Sequence, residues 1–266
     1  MNKSTCFIFI LLLFNSCNQR GKNNSTDHNP FFKVPVIIQS PTEATIEFFN
    51  PGFVEQTWPR YLGKYKFTDT LKLSQNLETA DTSGWKDKLW KSSLFNNTDS
   101  FQTDGFQIVA DYEATLYYIY RGFQSKGNYY YPVYAVNETS HTKIFIAKDS
   151  YVFALQEACD TNNYDRWEPI EGRGFDFCGS GYFGLKVHPG EFVLFLVPKY
   201  QGPEKTLMRV RLQLGDNIYT SNSFQGKMSY NQFSIKKDSG FYEELKKNKA
   251  SAIQWIFYGS IPKDFD

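Results

Sequence analysis

The stretch that decides the fold is Pro189-Gly190-Glu191-Phe192-Val193-Leu194-Phe195-Leu196-Val197, an apolar run that begins at a Pro-Gly pair. Pro fixes one backbone dihedral and Gly frees the next, so the pair predicts a turn from which Glu191 starts a strand. The following run, Leu207–Leu214, alternates, and places Arg209 and Arg211 on one face opposite its apolar side chains. Both patterns are typical of β-strands.

Runs of the same kind recur through the rest of the chain, each bounded by Gly, Asn, Asp or Ser. Strands spaced by about 8–12 residues, with few helical periods between them, predict a mainly β fold built as a β-sandwich. The strands predicted for this sandwich cover residues 106–110, 114–120, 129–136, 143–147, 153–158, 185–187, 192–197, 207–214 and 218–224.

Shorter regions flank the predicted sandwich, which we place at residues 106–238. Residues 31–105 form a smaller N-terminal β-rich region that ends in a linker-like stretch rich in Ser, Thr, Asn and Asp. Residues 239–266 are predicted to hold a short C-terminal helix and a last strand. Acidic residues lie near the start of Gly240–Ser251 and lysines near its end, which complements a helix dipole. Ile253–Tyr258 instead alternates, as a strand does.

The composition excludes several classes of function. Lys plus Arg number 29 and Asp plus Glu 28, so the chain lacks the basic excess of a nucleic-acid-binding protein. A mean hydropathy of −0.48 excludes a polytopic membrane protein. The sequence has three His residues and no dinucleotide, phosphate-loop or metalloprotease motif. We therefore expect no cofactor, no metal ion and no nucleic-acid partner.

The first residues are typical of a targeting segment. Lys3 precedes the apolar run Cys6–Phe14, which is too short to span a bilayer. A small residue directly before Cys17 resembles the lipobox of bacterial lipoproteins, which implies that residues 1–16 are a signal peptide and that Cys17 carries the lipid. An ordinary secretory signal with a coincidental cysteine is the open alternative. Residues 17–30, which contain no apolar side chain after Cys17, are predicted to be a flexible tether.

Two cysteines remain in the mature chain, Cys159 and Cys178, and they flank a polar loop. In an oxidising compartment such a pair predicts a disulfide bond, and the bond would stabilise the fold by roughly 3 kcal/mol. Two free thiols, a metal-binding pair and a catalytic thiol are the alternatives.

Several segments resemble an immunoglobulin-like module of Bacteroidota envelope proteins. They are Pro132–Thr139, Trp167–Glu171, Phe177–Gly181, Val187–Glu191, Arg209–Leu212 and Ser221–Gly226, together with Tyr61–Leu71. Over most of its mature length the chain is similar to uncharacterised lipoproteins of that phylum. The resemblance implies an immunoglobulin-like β-sandwich, anchored in the bacterial cell envelope, and no assigned activity. Acidic residues that would signal surface display are absent directly after Cys17, which favours an outer-membrane anchor facing the periplasm.

Two functions of different class fit this sequence. The preferred one is a non-catalytic, lipid-anchored protein whose sandwich binds or scaffolds an envelope protein or glycan through exposed tyrosine rings. Its candidate residues are Tyr117, Tyr118, Tyr120, Tyr129, Tyr130 and Tyr131, although the same rings could simply fill the sandwich. The alternative is a glycan-acting hydrolase that uses loop carboxylates as general acid and base. Its candidates are Glu157, Asp160, Asp165, Glu168 and Glu171.

Overall fold

The computed structural model describes residues 32–39, 46–47, 49, 52–73, 88–90, 102–118, 127–163, 166–174 and 181–265. Its strands are β1 Val36–Gln39, β2 Ile46–Glu47, β3 Val54–Thr57, β4 Arg60–Lys66, β5 Thr70–Leu73, β6 Lys88–Trp90, β7 Gln107–Ala110, β8 Leu116–Tyr118, β9 Gly127–Asn137, β10 Lys143–Lys148, β11 Tyr151–Val152, β12 Ala154–Asp160, β13 Arg166–Pro169, β14 Glu171–Arg173, β15 Tyr182–Val187, β16 Glu191–Pro198, β17 Glu204–Leu214, β18 Asn217–Thr220 and β19 Phe224–Met228. The helices are α1 Gly240–Lys247 and α2 Lys249–Ile256, with 3-10 helices at Tyr230–Phe233 and Lys263–Phe265. The predicted mainly β fold, a β-sandwich with a short C-terminal helical region, is confirmed.

The strands form two principal sheets. The large sheet has ten strands in the order β2-β9-β16-β4-β11-β10-β15-β6, and β7 and β8 pair with β9 in addition. The small sheet has the order β13-β12-β17-β18, with β19 also paired to β17. Two parallel pairs, β1 with β5 and β3 with β14, complete the architecture. Because β4 pairs with β16, the predicted N-terminal region and the predicted sandwich share one sheet.

The apolar run at β16 lies at the centre of the fold, and all eight of its residues are buried. Its side chains alternate between two cores. Val193 and Phe195 face the core between the sheets, which the small sheet closes with residues such as Val210. Leu194 faces a second core on the opposite side of the large sheet. A strand buried on both faces is apolar throughout, which explains why this run does not alternate with polar residues.

The turn that starts β16 has the predicted form. The backbone N–H of Glu191 donates to the carbonyl of His188 at 3.0 Å, and Gly190 has a φ of 76°. Only glycine adopts that conformation without strain, so the Pro-Gly pair sets where β16 begins.

Further layers cover the outer faces of both sheets. Phe32 and the β1–β5 pair cover the second core, where the Phe32 ring lies 5.4 Å from Phe192. The C-terminal helices pack with Leu155 of β12 through Phe241 and Ile256.

The C-terminal region contains two helices where the sequence predicts a helix and a strand. Asn248 ends α1 and caps α2, because its side chain accepts a hydrogen bond from the backbone N–H of Ser251. Ala252 and Ile256, four residues apart, are buried, while Trp255 is 62% exposed. The predicted strand at Ile253–Tyr258 is therefore wrong, since helical spacing buries these side chains and alternation does not.

Replacing Leu194 by Ala should lower the free energy of unfolding by about 3 kcal/mol, because the truncated side chain leaves a cavity beneath the β1–β5 pair. Val36→Ala, at a side chain that is 66% exposed, should change it by less than about 0.5 kcal/mol. Urea denaturation of both variants measures the difference. Equal losses would contradict a core on this side of the large sheet.

Candidate functional site

The candidate tyrosines lie on two paired strands of the large sheet. Tyr117 on β8 lies directly opposite Tyr129 on β9. Tyr118 and Tyr131 are buried, and Tyr117, Tyr129 and Tyr130 are half-buried. The sixth candidate, Tyr120, lies outside the described residues.

The buried rings have neighbours inside the protein. Tyr118 contacts Tyr130 with ring centroids 6.0 Å apart, and Tyr131 contacts Phe224 at 5.3 Å. Burial raises the pKa of Tyr130 and of Tyr131 above the ordinary value of a tyrosine. The structure thus gives Tyr118 and Tyr131 a packing role, and it leaves the Tyr117–Tyr129 pair as the half-buried surface candidate.

The candidate carboxylates are buried, in contrast to the loop positions that the hydrolase hypothesis assumes. Glu157 is 1% exposed, and Asp160, Glu168 and Glu171 are fully buried. They belong to the strands β12, β13 and β14, or to their ends. Asp165 lies outside the described residues. A buried carboxylate needs hydrogen-bond partners, and those partners indicate its role.

Glu157 is held by two arginines of the neighbouring strand. It lies directly opposite Arg209, whose Nε donates to Glu157 Oε2 at 2.7 Å. Arg211 Nη1 and Ser260 Oγ donate to the other oxygen at 3.3 and 2.6 Å. The Arg209 guanidinium also stacks on the Trp167 ring, 4.1 Å from its centroid. This cluster satisfies the carboxylate completely and fastens the segment around Ser260 to the small sheet.

Glu171 is the centre of a second buried cluster. Its Oε1 accepts from Gln156 Nε2 at 2.7 Å and from the Tyr200 hydroxyl at 2.6 Å. Its Oε2 accepts from the backbone N–H of Gln156 at 2.9 Å. Burial raises the pKa of Glu171, and these hydrogen bonds oppose the shift. The cluster joins β12 to β14 inside the fold.

Asp160, the last residue of β12, binds the C-terminal segment. Its Oδ2 accepts from Lys263 Nζ at 2.5 Å, and its Oδ1 accepts from the backbone N–H of Asn162 at 2.9 Å. The Tyr230 hydroxyl lies 3.3 Å from both carboxylate oxygens and also contacts Lys263 Nζ. An ion pair with further hydrogen bonds is the arrangement that stabilises a buried charge.

Glu168 differs from the other three carboxylates. Its Oε1 accepts from Asn163 Nδ2 at 3.0 Å, but its buried Oε2 accepts no hydrogen bond from the described residues. Burial raises the pKa of Glu168, the Asn163 hydrogen bond opposes the shift, and the negative charge of Asp160 adds to it. Ala158 lies opposite Glu168, so Asp160, two residues further along β12, is the diagonal neighbour of Glu168 on the same face.

Asp160 and Glu168 are the two candidate carboxylates that share a face of the small sheet and an electrostatic interaction. Two neighbouring carboxylates, one of which has a raised pKa, are the combination from which a base and an acid are made. Sequence reasoning missed Tyr230 and Lys263, which bind Asp160 from 70 and 103 residues away. No motif marks either residue.

The predicted cysteine sites are described in part. Cys159 is buried on β12, and its carbonyl accepts from Thr206 Oγ1 at 2.5 Å. Cys178 and Cys17 lie outside the described residues, so the disulfide and the lipidation stay predictions. In the part of the chain that the structure describes, no three His, Cys, Asp or Glu side chains are grouped to hold a metal ion.

Fold and site together define a mainly β protein with two principal sheets and several buried carboxylate clusters. None of the described helices is long and apolar enough to cross a membrane. No family model, no curated protein and no solved structure matches the chain.

The raised pKa of Glu168 predicts how stability depends on pH. The stability that protonated Glu168 contributes is fully present below its unfolded-state pKa and is lost as pH rises through its higher folded-state pKa. Glu168→Gln, which stays neutral, should therefore raise the free energy of unfolding at pH 7.5 by about 1 kcal/mol. The gain should vanish near pH 4.

Urea denaturation across this pH range checks the prediction. The matched control is Glu244→Gln on the exposed surface of α1, which should show no gain at either pH. A pH-independent effect of Glu168→Gln would contradict the shifted pKa.

Proposed function

We propose that the chain is a non-catalytic, lipid-anchored protein of the bacterial envelope whose β-sandwich binds or scaffolds another envelope component. The observation that carries the non-catalytic part is the state of the candidate carboxylates. Glu157, Asp160 and Glu171 each accept at least three hydrogen bonds from inside the protein. A general acid or base must lie within hydrogen-bond reach of its substrate, and buried, fully paired carboxylates suit structural roles better.

The position of these clusters supports the same conclusion. Adjacent residues of a strand point to opposite faces. Gln156, whose side chain donates to Glu171, therefore lies on one face of β12, and Glu157, which accepts from Arg209, lies on the other. Two carboxylates that face different layers cannot act on one bond. Their hydrogen bonds instead connect β12 to β14, to β17 and to the C-terminal segment.

The anchor is inferred from the N-terminal sequence. The apolar run Cys6–Phe14, the small residue before Cys17 and the polar residues 18–30 support lipidation of Cys17. Several acyl chains bind a bilayer effectively irreversibly. We place the anchored domain at the outer membrane, facing the periplasm, with an envelope protein or a glycan as its partner.

A glycan-acting hydrolase is the second candidate, and one observation favours it. Asp160 and Glu168 lie on one face, and burial raises the pKa of Glu168, as an acid catalyst requires. Lys263 already pairs with Asp160, however, which competes with a role for this carboxylate in proton transfer.

Cys17→Ser should release the protein from the membrane fraction, because residues 18–30 contain nothing apolar that could retain it. Detergent phase partitioning of cell envelopes measures the change. Cys6→Ser, inside the apolar run, is the matched control and should leave the protein in the detergent phase. Retention of the Cys17→Ser variant there would overturn the lipid anchor.

Binding is tested with the half-buried tyrosine pair. Tyr117→Ala with Tyr129→Ala should lower capture of solubilised envelope proteins and glycans by about tenfold, because rings at the centre of an interface dominate its affinity. Tyr242→Ala, a half-buried tyrosine on α1, is the control and should change nothing. Quantitative mass spectrometry of the captured material measures both.

The hydrolase candidate predicts the opposite pattern. Glu168→Gln would abolish the release of soluble fragments from purified envelope glycan, while the tyrosine variant would keep that release. This outcome would replace the binding function by a catalytic one.

A further inference from the structure

The outward face of β1 is apolar, although it faces solvent. Val34, two residues before β1, and Val36 and Ile38 on β1 are 42%, 66% and 49% exposed. The intervening Pro35 is buried, and Ile37 packs against the second core. Successive alternate residues of an extended chain lie on one side, so the three exposed side chains form a row. A strand that covers a core is expected to be polar on its outer face. Packing among the described residues does not account for this row.

The other large apolar side chains that are exposed among the described residues occur singly. Trp58, Leu207, Ile218 and Trp255 are each the exposed apolar residue of a different element or connection. Single exposed apolar residues are normal on protein surfaces, whereas contiguous ones indicate an interaction surface. The row Val34, Val36 and Ile38 is therefore the exposed apolar surface for which we infer an interaction.

The neighbouring strand extends this surface. Val36 lies opposite Thr70 and Ile38 lies opposite Lys72 on β5, and both partners are exposed. Lys33 is exposed at the start of the row, and the Glu138 carboxylate beside it accepts a hydrogen bond from the backbone N–H of Phe32. Asp69, whose main-chain carbonyl accepts from the backbone N–H of Val36, is exposed nearby. Two lysines and two acids leave the surface nearly neutral, so an apolar occupant suits it better than a highly charged one. Lysine stems can also lie along an apolar boundary while their ammonium groups stay in water.

The position of the row in the chain indicates the occupant. Sixteen residues separate Val34 from Cys17, and a polar chain of that length spans roughly 20–25 Å on average. A lipid on Cys17 would hold β1 closer along the chain to the bilayer than any other strand of the domain. We propose that the row Val34, Val36 and Ile38 rests on the bilayer surface that holds the anchor. This proposal depends on the proposed lipidation of Cys17.

The test uses the full lipidated protein in phosphatidylethanolamine–phosphatidylglycerol vesicles with lipids brominated in their acyl chains. Bromine quenches tryptophan only at close range. Val36→Trp adds a ring to the row, and Ile218→Trp adds one at a matched exposed strand position on β18. After the wild-type signal is subtracted, quenching at position 36 should exceed that at position 218 by about threefold or more. Removing the anionic lipid should change this ratio little.

A second variant keeps the probe and removes the apolar surface. Val34→Asn with Ile38→Asn, added to Val36→Trp, replaces exposed side chains and leaves the core intact. Quenching should then fall to the level of position 218, although the protein still floats with the vesicles.

The outcomes separate this proposal from the anchor. Protein that floats but shows equal quenching at positions 36 and 218 would overturn the membrane-facing row and keep the anchor. If the ring at position 36 becomes shielded from solvent as the protein density on the vesicles rises, and bromine does not quench it, the row contacts a second copy of the chain. That result would also overturn the membrane-facing row. Failure of the wild-type protein to float would overturn the anchor, and with it both proposals.

Discussion

The fold depends on one constraint, which is that β16 must be buried on both faces. Its eight residues are all buried, and odd and even positions serve different cores. A single sandwich covers only one face of such a strand. The small sheet therefore closes one side, and Phe32 with the β1–β5 pair closes the other. The extra layer explains why strands from before residue 74 are integral to the fold rather than an appendage.

Buried carboxylates determine how the remaining segments attach. Removing a carboxylate from water is costly unless ionic or hydrogen-bond partners replace the lost solvation. Glu157 receives its partners from β17 and from Ser260, and Asp160 receives Lys263 from the end of the chain. These clusters bind the C-terminal segment to the small sheet with a directionality that apolar contacts lack. Glu168, with one oxygen unpartnered among the described residues, is the exception and the residue on which the catalytic alternative rests.

The proposed function relates the N-terminal anchor to the half-buried tyrosine pair. The proposed lipid anchor on Cys17 would be attached to β1 through a polar segment, and the outer face of β1 is apolar, so that this side of the domain suits a bilayer. The half-buried Tyr117–Tyr129 pair lies at the β8–β9 pairing, and Gln39 at the end of β1 hydrogen-bonds the backbone of Tyr117. A binding surface at these tyrosines would consequently lie close to the strand that we place at the membrane, which restricts its partner to molecules near the envelope surface.

The sequence by itself determined most strands of the sandwich, the helix that begins at Gly240 and the turn before β16, because these depend on local periodicity, on acids early and lysines late in the helix, and on a Pro-Gly pair. It did not mark the short strands β13 and β14. It did not determine that Ile253–Ile256 is helical, since that choice depends on which side chains reach the core. Only the tertiary structure decided that Asp160, Glu168 and Glu171, which the hydrolase hypothesis placed in loops, are buried, and that Lys263 pairs with Asp160 across 103 residues. Burial and ionic pairing are properties of segments brought together by folding, and no local pattern records them.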